Sequence, residues 1–253
     1  MRDLQLKHLS YSNITLWFYC KRKWLLKYEH GVKTQSSPAQ IFGTAMHRAI
    51  QKSWSDGQPI TAYAGGFKRI LFDTLEEQGV TLVDSVLHEL AETGESIIRD
   101  PLASNILSSI IVAGPEMIER KVEFTVPGVP ISVVGYIDAI DVNCVPYDIK
   151  TSWNNWSRSR ADGEYQPDFY LTALDQLGET KHAGMFTYVI VIKNMSAPAV
   201  YTIDSPRTGY TNRTNMLVKT MWDEYNSGGM NFGLKDNKCS NCDMFKQCNE
   251  IFR

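Results

Sequence analysis

No run in this 253-residue sequence approaches the roughly 18 uninterrupted apolar residues that a membrane-spanning helix needs. Its opening, MRDLQLKHLSYSN, lacks the apolar stretch of a secretory leader, so the expected compartment is a reducing cytoplasm, or the host cytoplasm for a phage-encoded chain. Positive charge is not in excess either: 26 Lys and Arg stand against 28 Asp and Glu, a formal charge of −2. That excludes a globally basic nucleic-acid binder and leaves any such role to local patches. Cysteine is scarce, at five residues. An odd number with three crowded at Cys239, Cys242 and Cys248 is not a secreted disulfide framework and points to metal or cluster ligation. Internal repeats, low-complexity tracts and Gly/Ser linkers are missing too, so a single domain over 1–253 is expected. Hydrophobic residues, 43% of the chain, are ample for a core.

The texture of the chain changes near residue 117. Residues 8–112 carry apolar residues at helical spacing, such as Phe67, Ile70, Leu71 and Leu75, and read as mainly helical, with a break near Cys20 and a helix from about Phe42 that carries His47. From 117 to 204, runs rich in Val, Ile, Phe and Tyr separated by PGVP and DVNCVP read as a meander of strands, followed by a helix over GEYQPDFYLTALDQLG and two more strands. Residues 205–253 add a helix and the cysteine-rich tail. Strands flanked by helices predict an α/β/α layered fold.

Chemistry gathers in the meander, where GYIDAIDVNCVPYDIKTS puts Asp138 in one strand and Asp148, Ile149 and Lys150 in the next. Side chains alternate across a strand, so Asp148 and Lys150 share a face while Ile149 packs on the other. Antiparallel pairing of the two strands sets Asp138 beside Asp148, where two carboxylates repel unless a hard cation such as Mg²⁺ or Mn²⁺ joins them. Alone, a D-x-K tripeptide is more often an ordinary surface ion pair. Its weight comes from His47 in GTAMHRAI and from QPDFY, which puts Gln166 and Tyr170 one helical turn apart.

His47, GYID (Asp138), DIK (Asp148, Lys150), QPDFY (Gln166, Tyr170) and the terminal cysteines together resemble the RecB-like branch of the PD-(D/E)xK nuclease superfamily. Cys20 with the C-x2-C-x5-C ending is similar to its iron–sulfur members: CRISPR-associated RecB-like exonucleases, the AddB nuclease domain and phage relatives. The resemblance implies a restriction-endonuclease-like core with a central mixed sheet. It implies metal binding by His47, Asp138, Asp148 and the carbonyl of Ile149, catalysis by Lys150, and substrate positioning by Gln166 and Tyr170. An additional acid on the preceding strand is expected, and Glu119 and Glu123 fall on the same face, so alternation does not choose between them. The four cysteines Cys20, Cys239, Cys242 and Cys248 suit Zn²⁺ or an iron–sulfur cluster chemically, and the resemblance favours a structural [4Fe–4S] cluster.

The implied activity is metal-dependent hydrolysis of DNA, from single-stranded ends, in recombination, repair, phage DNA metabolism or CRISPR spacer processing, with recombination or CRISPR-adaptation proteins as partners. Two alternatives stay open: a catalytically weak subunit that binds DNA ends, and a restriction-type endonuclease. Basic and aromatic residues near the motifs, namely Lys21, Arg22, Lys23, Trp153, Trp156, Arg158 and Arg160, are candidate contacts to phosphates and unpaired bases.

Overall fold

The computed structural model describes residues 6–194, 196–228 and 239–252. Helices α1 (Tyr11–Tyr19), α2 (Lys21–Tyr28), α3 (Pro38–Ser55), α4 (Phe67–Gln78), α5 (Asp84–Arg99) and α6 (Pro101–Ser109) precede strands β1 (Ile118–Phe124), β2 (Val133–Ile140) and β3 (Pro146–Ser152). Then come α7 (Arg158–Gly163), α8 (Gln166–Gln176), β4 (Thr187–Ile192), β5 (Ala199–Asp204), α9 (Tyr210–Asn226) and α10 (Phe245–Ile251). The strands form one sheet in the order β1-β2-β3-β4-β5, antiparallel at β2–β3 and β4–β5 and parallel at β3–β4. This is the mixed-sheet α/β architecture expected from the sequence.

By internal packing the chain divides into two compact units, one of Met1–Gln35, Val122–Gly135 and Gly209–Arg253, the other of Ser36–Lys121 and Tyr136–Thr208. In the first, α1 ends and α2 begins at Cys20, whose thiol accepts the Lys23 amide of the new helix at 3.5 Å. Ser10 caps α1 by accepting the Asn13 amide, and the Asn13 side chain is buried under Trp24, whose indole N–H it accepts at 3.2 Å. Trp17 packs edge-on against Trp24 and Tyr225, and Trp24 lies tilted against Tyr225, joining α1, α2 and α9. Such aromatic pairs add about 0.5–1.5 kcal/mol beyond their buried area.

The second unit holds the larger core. Ser37 and Gln40 form a reciprocal capping box at the start of α3, with Pro38 at its first position, so the helix begins four residues ahead of Phe42. Its apolar face, Ile41, Phe42, Ala45, Met46 and Ala49, packs with Ile149, Val189 and Val191 of the sheet and with residues of α4 to α6. On β4 every residue is buried. Val189 and Val191 face α3, while Tyr188 packs against Phe186 and Trp156, as befits a parallel strand covered on both faces.

Candidate metal and active centre

Four elements, α3, β2, β3 and α8, deliver His47, Asp138, Asp148, Lys150, Gln166 and Tyr170, and the start of β1 delivers Glu119. The β2–β3 ladder includes Ile140↔Pro146 and Ala139↔Tyr147, so one step further brings Asp138 level with Asp148. At that point a side chain enters the hydrogen bonding between the strands: Asp138 Oδ2 accepts the Ile149 amide at 2.6 Å. Asp138 is thereby fixed in place while its Oδ1 stays turned to α3, where His47 Nδ1 lies 3.5 Å away. Ile149 packs into the core as strand alternation predicts.

On the same face Asp148 and Lys150 meet α8. Lys150 Nζ lies 2.6 Å from Asp148 Oδ2 and donates to Gln166 Oε1 at 2.7 Å. Gln166 Nε2 donates to Asp148 Oδ1 at 2.7 Å and contacts the Tyr170 hydroxyl at 2.9 Å, which donates to the Tyr136 carbonyl at 2.6 Å. Gln166 and Tyr170 are one turn apart in α8, where every residue from Gln166 to Leu174 is buried. A buried chain of this kind, Tyr170 to Gln166 to Asp148 and Lys150, holds the carboxylate and the ammonium in one geometry.

Glu119 completes the donor group. His47, Glu119 and Asp138 offer ligand atoms that all lie within 4.8 Å of one another, the arrangement of this kind found among the described residues. Glu119 has a φ of +50°, a left-handed conformation unusual for a residue with a side chain in a strand. Such strain costs roughly 1–3 kcal/mol and is found where function over-determines the backbone. Glu123 is not part of the group. Asp148 stands beside it rather than within it, turned to Lys150 and Gln166, and the recorded contact of Ile149 to the group is its amide on Asp138.

Gln51 was not among the residues singled out from the sequence. It follows His47 by four positions on α3, and its amide donates to Glu119 and, at 3.5 Å, to Asp138 Oδ1. The spacing from His47 was the available signal, since residues four apart share a helix face.

Electrostatics separate the carboxylates. Burial pushes Asp148 up to about 6, with the Lys150 charge opposing and the Asp138 charge adding. Burial works the same way on Asp138, but the hydrogen bond and charge of His47, the Ile149 amide and the Lys150 charge hold it below the ordinary range. Glu119 is raised by burial and by Asp138. For His47, burial disfavours the charged form and Asp138 and Asp148 outweigh it, leaving it above the ordinary value. Buried Asp148 Oδ2 makes no hydrogen bond of good geometry, its neighbour being the Lys150 ammonium. His47, Glu119 and Asp138, with the Asp148–Lys150 pair beside them and two of the acids held up in pKa, are a donor set short of positive charge. They fit a hard divalent cation such as Mg²⁺ or Mn²⁺.

The remaining candidates are more widely placed. Lys21 is paired with Glu224 at 2.7 Å and Lys23 with Asp243 at 2.5 Å, while the Arg22 guanidinium lies over the Phe252 ring. Trp156 is buried between Tyr188 and the Arg160 guanidinium, which lies 4.2 Å from its ring centre. Arg158 pairs with Asp162 within α7, and Trp153 is 54% exposed.

All four tail-set cysteines lie in the first unit as free, half-buried thiols. Cys242 and Phe245 amides turn back onto the Cys239 and Cys242 carbonyls and lead into α10, which carries Cys248. The Lys23–Asp243 pair ties the first turn of α2, capped by Cys20, to this turn. The four thiols are a chemically suitable ligand set, though they do not form a close donor group as His47, Glu119 and Asp138 do.

Comparison with curated proteins finds no match. Among solved structures, the chain is similar to a protein of Eubacterium rectale named "Putative exonuclease", with a TM-score of 0.60 at 14% identity, covering 95% of this chain and 88% of that one. At that identity the likeness is one of fold. A structure named SSO0001 has a TM-score of 0.35 at 16% identity, over 88% of this chain and 92% of that one, and carries no weight. The profile of the PD-(D/E)XK nuclease superfamily matches residues 8–249, nearly the whole sequence, and the chain belongs to that superfamily.

Proposed function

We propose that the protein is a metal-dependent deoxyribonuclease of the RecB-like branch, acting as an exonuclease on single-stranded DNA ends in recombination, repair, phage DNA metabolism or spacer acquisition. The observation that carries this reading is the convergence of His47, Glu119 and Asp138 beside the Asp148–Lys150–Gln166 network. A divalent ion held by these donors would lower the pKa of a bound water and offset charge building on the scissile phosphate. Asp138 and Glu119 supply hard oxygen ligands and His47 a nitrogen. The Lys150 ammonium, held between Asp148 and Gln166, is placed to orient the attacking water or to offset phosphate charge. Tyr170 stays a phenol, because burial and the Asp148 charge both raise its pKa, and it fixes Gln166.

Cys20, Cys239, Cys242 and Cys248 are proposed to hold a structural [4Fe–4S] cluster, supported by their membership of one compact unit and by the Lys23–Asp243 pair, which joins the helix start next to Cys20 to the residue after Cys242. The test of the activity is cleavage of end-labelled single-stranded and duplex DNA with Mg²⁺ or Mn²⁺. Progressive shortening is expected, with Asp148→Ala and Lys150→Ala each reducing the rate roughly a hundredfold or more. Full activity in either variant refutes the assignment, and discrete duplex fragments identify an endonuclease instead.

A further inference from the structure

Beyond Lys150 the chain runs to the carboxyl end of β3, where Thr151, Ser152 and Trp153 line a pocket of about 530 Å³ together with Ala39 and Phe42 of α3, Glu89, Leu90 and Thr93 of α5, and Lys193 after β4. Strands β3 and β4 are parallel here, paired through Ser152↔Ile192, and the Lys193 amide continues the ladder onto the Ser152 carbonyl at 2.9 Å. In open α/β sheets the crevice outside the carboxyl ends of parallel strands is where ligands bind. The volume lies within the range of small-ligand sites.

The lining is selective. Trp153 has 54% of its surface exposed, a large apolar ring left in water beside a cavity. The Lys193 ammonium lies 5.8 Å from the Phe42 ring centre, and no carboxylate pairs with it among the described residues. Burial alone lowers its pKa. One cation, Lys193, is offset by one anion, Glu89, so a multiply charged group is not the natural occupant. A flat ring with hydrogen-bonding edges suits the exposed indole, the Thr151 hydroxyl and the two opposite charges.

We propose that this pocket holds one unpaired base of the DNA strand being cut, stacked on Trp153 and bordered by Lys193 and Glu89. The proposal rests on the nuclease reading and adds a specific subsite to it. Thr151 of the pocket wall lies against Gly43 of α3, where an added Cβ would fall 3.0 Å from its Oγ1, and Gly43 is one helical turn before His47, so a base in the pocket belongs to a nucleotide close to the metal donors. A base within a duplex is stacked on both sides and does not enter, so the pocket supplies a physical cause for preferring unpaired ends.

The test is a binding scan in metal-free buffer. Fluorescent single-stranded oligonucleotides, each with one abasic position, are titrated with the full-length protein and followed by anisotropy, while metal-dependent cleavage of the same strands is measured separately. Wild-type protein loses at least about fivefold in affinity when the abasic site falls at one position. In Trp153→Ala that penalty disappears, and in Trp153→Phe it is largely kept. Thermal unfolding of both variants matches wild type, because the ring is exposed. A flat abasic profile, or a position-specific penalty unchanged in Trp153→Ala, overturns the subsite. Failure of cleavage alongside an intact scan instead refutes the nuclease reading, so the two failures are told apart.

Discussion

Glu119 completes the donor group that His47 and Asp138 begin, and Gln51 holds two of its members. The sequence could not choose between Glu119 and Glu123, because strand alternation puts both on one face. The left-handed backbone at Glu119 breaks that alternation, and nothing in the residue types announces it. Gln51 acts through the ligands it touches, so Gln51→Ala is expected to raise the metal concentration for half-maximal cleavage about 10–100-fold while leaving the rate at saturating metal close to wild type. A metal titration of cleavage reads both. At Asp148 folding lifts the pKa from 3.8 to about 6, so its contribution to stability is fully present below about pH 3.8 and is lost as the pH rises through about 6. In metal-free protein, Asp148→Asn should therefore gain on wild type as the pH is raised across this window, by on the order of 1–3 kcal/mol, measured as paired unfolding curves. A difference independent of pH would contradict the shift.

Helices and strands were the more legible scale. The change at residue 117, the β2 and β3 runs and the one-turn spacing of Gln166 and Tyr170 all follow from periodicity, and the structure keeps them. Partners distant in sequence were not legible. The basic run Lys21–Lys23 reads as a patch for phosphates until Glu224 and Asp243, about 200 residues away, are seen to hold its two lysines. Trp156 reads as a stacking residue until Tyr188 and Arg160 enclose it, and Trp153 alone of the pair is left with an open face. Packing of α5 on α4 gives a prediction of its own: a Cβ at Gly94 would lie 2.0 Å from Cε1 of Phe67, a fully buried ring with no room to move aside. Gly94→Ala should destabilise by about 1–3 kcal/mol despite its better helix propensity, and an unchanged melting temperature would show that the two helices separate readily.

For the whole molecule, the two kinds of donor fall into different units: thiols in the first, imidazole and carboxylates in the second. Soft sulfur and hard oxygen ligands select different metals, so the two sites are expected to load independently. Anaerobically purified protein should contain iron and sulfide, lost together with several degrees of thermal stability in Cys248→Ser and retained in Cys144→Ser, whose thiol sits in the β2–β3 turn of the other unit. Zinc without sulfide would overturn the cluster. The most direct measurement is the Mn²⁺ dependence of single-strand cleavage in wild type and Glu119→Gln. A metal centre built on His47, Glu119 and Asp138 predicts no cleavage without metal and a half-activation concentration raised about tenfold or more by the substitution; metal-independent cleavage, or superimposable activation curves, would contradict it.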